Sequence, residues 1–145
     1  MRELEKFPSV VSDIMASPAI TVDAEVNVRD ASLLMADKEI GSVIVVERGA
    51  PVGIVTKRDI IRKLVALCLD PCETTVKDIM SKPLITIGND VGILKAMRKM
   101  RKYSITQLVV MDGDVLEGVV SERDITRGVS IASIGSFSSL LRRHE

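Results

Sequence analysis

Runs of β-branched residues and amphipathic stretches follow one another along this chain in a set order, and that order predicts its elements. Val10–Met15 reads as a short helical turn stopped by Pro18, because the residue before a proline is pushed out of the helical region. Ala19–Val22 reads as a short strand. Asn27 suits a helix N-cap, and Val28, Ala31, Leu34 and Met35 fall on one stripe of the helix that follows. Val43–Glu47 is continuous and β-branched, as expected of a strand covered on both faces. Arg48-Gly49 turns the chain, Pro51–Val55 returns as the hairpin partner, and Thr56 opens a last helix running to about Leu69.

The series then repeats. Ile85–Ile87 is the short strand, and Val91–Lys102 is the helix, with Ile93, Ala96, Met97 and Met100 on its buried stripe. Leu108–Met111 and Val115–Val120 form the hairpin around Asp112-Gly113-Asp114, and Ser121 opens the final helix. Residues 11–59 align with 76–124 without a gap, so that Val-x-Asp-Ile-Met opens both copies at Val11 and Val76. Gly53-Ile-Val-Thr-Lys-Arg-Asp-Ile60 returns as Gly118-Val-Val-Ser-Glu-Arg-Asp-Ile125. A repeat of this size is one supersecondary unit whose apolar face needs a partner. The expected organisation is a segment 1–9, repeats 10–70 and 75–130, and a tail 131–145. The expected fold class is α+β, two β-α-β-β-α repeats packed as a pseudo-twofold pair, since one such half buries too little surface alone. The Ser-rich tail reads either as a short interfacial helix or as a frayed end.

Composition narrows the function. Apolar residues make up 46% of the 145 positions but aromatics only 2%, so Val, Ile, Leu and Met must fill the core. Lys+Arg and Asp+Glu are both 20, a balance that argues against broad binding to nucleic acid, which is not the expected partner. The run Arg98-Lys99-x-Arg101-Lys102 reads as a solvated helix face, or else as a docking patch for an acidic partner or nucleic acid. No apolar run approaches the ~20 residues of a membrane helix, and the first residues hold no apolar signal core, so a cytoplasmic protein is expected. Cys68 and Cys72 read as unpaired thiols, and with the only His at position 144 they make a poor metal site. No catalytic motif appears, and no central His is present to activate a nucleophile, so an enzyme is not expected.

The most repeated polar residues form Gly-φ-Val-[Thr/Ser]-x-Arg-Asp, where φ is aliphatic. Thr56-x-x-Asp59 and Ser121-x-x-Asp124 are each a helix capping box. The same arrangement also suits a ligand. A strand breaking into a helix start aims free amides at one point and favours an anion there. The hydroxyl and the Arg add a donor and a charge, and a carboxylate one step on can accept two bonds from a vicinal diol, as on ribose. Both readings can hold together.

This doubled pattern resembles a tandem pair of CBS (cystathionine-β-synthase) domains, a Bateman module, over about residues 10–130. The resemblance implies a regulatory, non-catalytic protein without a cofactor; the alternatives are a structural dimerisation module with degenerate pockets or a nucleic-acid-associated regulator. In the first case its clefts between the repeats would bind AMP, ADP, ATP or S-adenosylmethionine, it would pair as a homodimer, and it would act on a regulated protein partner. Carried over by position, Asp59 and Asp124 would hold ribose, with Thr56 and Ser121 at the phosphates and Lys57, Arg58 and Arg123 as further phosphate contacts. The Asp124 cleft would add Ile40 and the Asp13–Pro18 linker, with Thr106 and Gln107 nearby. The Asp59 cleft would add Ile105 and the Asp78–Pro83 linker, with Gly41 and Ser42 nearby. Ile14, Met15, Ile20, Ile79, Met80 and Ile85 would line the adenine slot, beside Pro18 and Pro83. Lys57 stands where the second copy has Glu122, so the first site is expected to prefer more phosphate charge than the second.

Overall fold

The structure is a computed structural model that describes residues 7–130; His144 and the tail 131–145 lie outside the described residues. The chain divides into two compact units. The central unit is Ala19–Ile85, and the flanking unit joins the segment ending at Pro18 to the segment starting at Thr86. These units are not the sequence repeats. Each contains the Val-x-Asp-Ile-Met segment that opens the other repeat: Val76–Met80 belongs to the central unit and Val11–Met15 to the flanking unit.

In the central unit, β1 (Thr21–Asp23) runs parallel to β2 (Ser42–Glu47), which pairs antiparallel with β3 (Ala50–Thr56). The expected strand at Ala19–Val22 is displaced toward Asp23, where pairing with Ile44–Val46 begins at Thr21. Helix α1 (Val28–Lys38) makes the crossover. Its N-cap Asn27 accepts a hydrogen bond from the Asp30 amide at 2.8 Å, which satisfies one of the orphan amides of the first turn. Val43, Ile44 and Val45 are all fully buried, as the β-branched run predicts. Helix α2 (Lys57–Ile60) does not run on as an α-helix. It passes into a π-helical segment, Ile61–Val65, in which the Ala66 amide reaches the Ile61 carbonyl at 2.9 Å. Helix α3 (Val76–Ile79) then closes the unit, with the Val76 amide bonded to the Val26 carbonyl at 2.8 Å and Val76 and Ile79 seated in the core beside Val22, Val28 and Val45.

The flanking unit is built the same way from β4 (Thr86–Ile87), β5 (Gln107–Asp112) and β6 (Val115–Ser121), with α4 (Ile93–Tyr103) as the crossover and α5 over residues 122–130. The expected turn at Val10–Met15 contracts to a single 3₁₀ turn, Val11–Asp13. It is held because Val11 and Ser12 donate to the carbonyls of Val91 and Asn89, both at 2.9 Å. On α4, Ile93, Ala96 and Met100 are buried, but Met97 is 46% exposed. It lies at the rim of the stripe toward the exposed Leu94, so it is not a core residue of its unit.

Candidate functional site

In the central unit the sharp passage from β3 into α2 places Thr56 at the N-cap and Asp59 at N3, with the full capping box formed. The Thr56 amide and hydroxyl donate to Asp59 Oδ2 at 2.9 and 3.1 Å, and Thr56 Oγ1 accepts from the Asp59 amide at 3.2 Å. The other carboxylate oxygen is also taken. Ser81 Oγ donates to Asp59 Oδ1 at 2.8 Å, and Lys63 Nζ lies 3.1 Å from the same atom and 3.2 Å from Ser81 Oγ. Ser81 is delivered by a bridge to β3, with paired bonds to Ile54 of 2.8 and 3.1 Å. Asp59 is 6% exposed as a result.

In the flanking unit, β6 breaks into α5 at the matching point. The Ser121 amide donates to Asp124 Oδ2 at 2.9 Å, and Ser121 Oγ accepts from the Asp124 amide at 3.0 Å. Among the described residues nothing donates to Asp124 Oδ1, and the residue is half-buried. Ala16 bridges to Val119 as Ser81 bridges to Ile54, with bonds of 2.9 and 3.0 Å, but it carries no hydroxyl.

The remaining expected site residues fall into place unit by unit. Ser42 lies opposite Thr56 across the β2–β3 ladder, and Gln107 lies opposite Ser121 across β5–β6. The Gly41 carbonyl accepts from the Lys57 amide at 3.2 Å, and the Thr106 carbonyl accepts from the Glu122 amide at 2.9 Å. Ile40 and Ile105 follow the left-handed residues that end α1 and α4, Glu39 and Ser104. Each donates its amide back into its own helix, to Met35 and Met100 at 3.0 and 2.9 Å. Ile40 is thus in the central unit and Ile105 in the flanking unit. Met80 packs on Gly53, and Met15 lies beside Gly118. Ile20 accepts the Ile44 amide at 2.9 Å, Ile85 is half-buried, and Pro18 and Pro83 are exposed. Lys57, Arg58 and Arg123 are all exposed. Lys57, the cation expected to distinguish the first site, forms no ion pair among the described residues; the amine that reaches Asp59 is Lys63.

Among the described residues, no cluster of His, Cys, Asp and Glu could hold a metal, and no helix is long and apolar enough to cross a membrane. The family model for the CBS domain matches twice, over residues 11–66 and 76–131. The chain belongs to the CBS-domain family. A tandem CBS pair is a regulatory type of module. Similar proteins include the CBS domain-containing protein YhcV of Bacillus subtilis, 30% identical over 117 residues, 81% of this chain and 83% of YhcV. An uncharacterized Methanopyrus kandleri protein is 33% identical over 117 residues, and the match spans 79% of this chain but only 60% of that relative. Among solved structures, a hexameric CBS-CP12 protein from bloom-forming cyanobacteria superposes with a TM-score of 0.79 at 30% identity, covering 86% of this chain and 73% of its own.

Lys63 is absent from the sequence-derived site, and Ser81 enters it only as part of the Asp78–Pro83 linker, not as a named contact. Neither residue recurs: their counterparts are Gly128 and Ala16. The usable signal was the reverse one, a polar residue in one copy opposite a small residue in the other.

Proposed function

We propose that this chain is a non-catalytic sensor of adenosine-containing ligands, AMP, ADP, ATP or S-adenosylmethionine, bound at the helix starts that carry Asp59 and Asp124. The observation that carries this reading is the recurrence, in both units, of a capped helix start with a hydroxyl at the N-cap, a carboxylate at N3 and an exposed Arg between them. These supply an anion-favouring end and a diol acceptor side by side. Ligand binding would act on a regulated partner by favouring one of two arrangements of the module, through differential affinity for them. Self-association fits the exposed apolar residues Ile61, Val65 and Leu67, and also Leu94 and Met97, and it has a precedent in the hexameric cyanobacterial relative. Thermal denaturation with AMP, ATP and S-adenosylmethionine tests the sensor. A ligand at 100 times its Kd stabilises by roughly 2.7 kcal/mol. No shift with any of them, or a shift that persists in the double variant Asp59→Ala/Asp124→Ala, counts against it.

A second reading, a polyanion-binding regulator, has one observation in its favour. In the flanking unit a groove of about 750 Å³ is lined by Lys95, Arg98, Lys99 and Lys102 of α4. Like charges three and four residues apart repel one another by a few tenths of a kcal/mol per pair, so a phosphate backbone laid there would relieve them. Steeply salt-dependent binding of single-stranded oligonucleotide, lost in Arg98→Glu/Lys102→Glu, would support it.

A further inference from the structure

The two capped helix starts differ in one respect that decides which of them can receive a ligand. A carboxylate has about four lone-pair positions. At Asp59 all are engaged within the unit: Oδ2 by the Thr56 amide and hydroxyl, Oδ1 by Ser81 Oγ and Lys63 Nζ. A ribose diol arriving there must displace Ser81 and the ammonium group of Lys63, from a carboxylate that is already buried. At Asp124, among the described residues, Oδ2 holds only the Ser121 amide and Oδ1 has no donor. The closing pair is also not transferable by a small shift. Gly128 occupies the Lys63 position, and a β-carbon there would come within 2.9 Å of Ile14 Cγ2; Ala16 occupies the Ser81 position with no hydroxyl to offer.

We propose that Lys63 and Ser81 close the Asp59 site, so that each chain takes a single diol-bearing adenosyl ligand, at Asp124. This inference rests on the sensor reading above and adds to it an unequal division between the sites. Lys63 and Ser81 act as an internal stand-in for the diol: an ammonium and a hydroxyl occupy the two positions that two ribose hydroxyls would use.

The test is isothermal titration calorimetry of AMP, ADP, ATP and S-adenosylmethionine into the full chain. The wild type is expected to bind one equivalent of the recognised ligand. Asp124→Ala abolishes that binding, and the 2′-deoxy form of the ligand binds at least tenfold more weakly, having lost one of two bonds to a charged acceptor. Ser81→Ala/Lys63→Met, which copies Ala16 and keeps the Lys63 stem, is expected to add a second equivalent with an affinity gain of at least tenfold at that site; Ser81→Ala alone, the milder change, moves the same way. Two equal wild-type sites, or loss of binding in Asp59→Ala but not in Asp124→Ala, would overturn the division while leaving the sensor standing. No binding of any of the four ligands to any of these proteins would overturn both.

Discussion

Gly118 and Ala16 approach so closely that a β-carbon on Gly118 would overlap the Ala16 carbonyl oxygen. That carbonyl is fixed, because Ala16 and Val119 exchange two backbone bonds of 2.9 and 3.0 Å. The matching glycine, Gly53, faces a side chain instead, with Met80 Sδ, Cγ and Cβ 2.5, 2.9 and 3.1 Å from its would-be β-carbon. The outer atoms of the methionine can swing aside, leaving only its β-carbon close, whereas a bridged carbonyl cannot move. Gly118→Ala is therefore expected to cost about 2–3 kcal/mol, in the upper range for overpacking, and Gly53→Ala about 1 kcal/mol. Urea denaturation of the two variants checks the order; equal midpoints would contradict it.

The unequal wiring of the two carboxylates also has a consequence for stability without ligand. Asp59→Ala removes a capping box and strips Ser81 and Lys63 of their shared acceptor. Lys63 has a 42% exposed side chain and can turn to water, which limits the loss. The expected cost is about 2–3 kcal/mol, against about 1 kcal/mol for Asp124→Ala, which gives up only its cap. Chemical denaturation of the unliganded proteins measures the difference.

Much of the fold was legible because its signals are local. The β-branched run through Val45 reads as a covered strand, and Asn27 before an amphipathic stretch suits a cap, as both prove to be. The π-helical segment Ile61–Val65 was not legible, since Ile-Arg-Lys-Leu-Val is an ordinary helical sequence and the change of pitch depends on what the helix packs against. Met97 misled for a related reason: three buried neighbours on α4 suffice for the core, and the stripe ends before a fourth. At the site, Thr56, Asp59, Ser121 and Asp124 were legible by recurrence. Lys63 stands four residues after Asp59, a spacing that suits a helical ion pair, but it has no counterpart in the second copy to mark it. Ser81 lies in the linker expected beside Asp59, yet its hydroxyl finds the carboxylate only through the bridge to Ile54.

Helix α4 starts poorly. Its N-cap, Gly92, has no side chain to offer, whereas α1 has Asn27. Gly92 has φ −64° and ψ 148°, which any residue adopts, and the nearest atom to a β-carbon there is the Ser9 carbonyl oxygen at 3.8 Å. Gly92→Asn is expected to stabilise by about 0.5–1 kcal/mol, by capping the third helical amide and by restricting the unfolded chain. A rise in Tm would bear this out; a fall would mean that the cap geometry of α1 does not transfer.

Fragments should follow the compact units rather than the repeats. A peptide of residues 10–70 lacks Val76 and Ile79, which are 0% and 1% exposed and each worth about 1.5–3 kcal/mol of burial. It also carries Val11–Met15 without the strands they join. Residues 19–85 retain a full sheet and core. Cooperative thermal unfolding is expected of 19–85 and not of 10–70, as read by far-ultraviolet circular dichroism.

The exchange of opening segments also sets what a separated half would have to do. A chain of one repeat holds an opening segment of its own but no downstream one, so its sheet is closed either by folding that segment back or by trading it with a second copy. In the tandem chain the trade is made within one molecule, where no encounter between copies is needed.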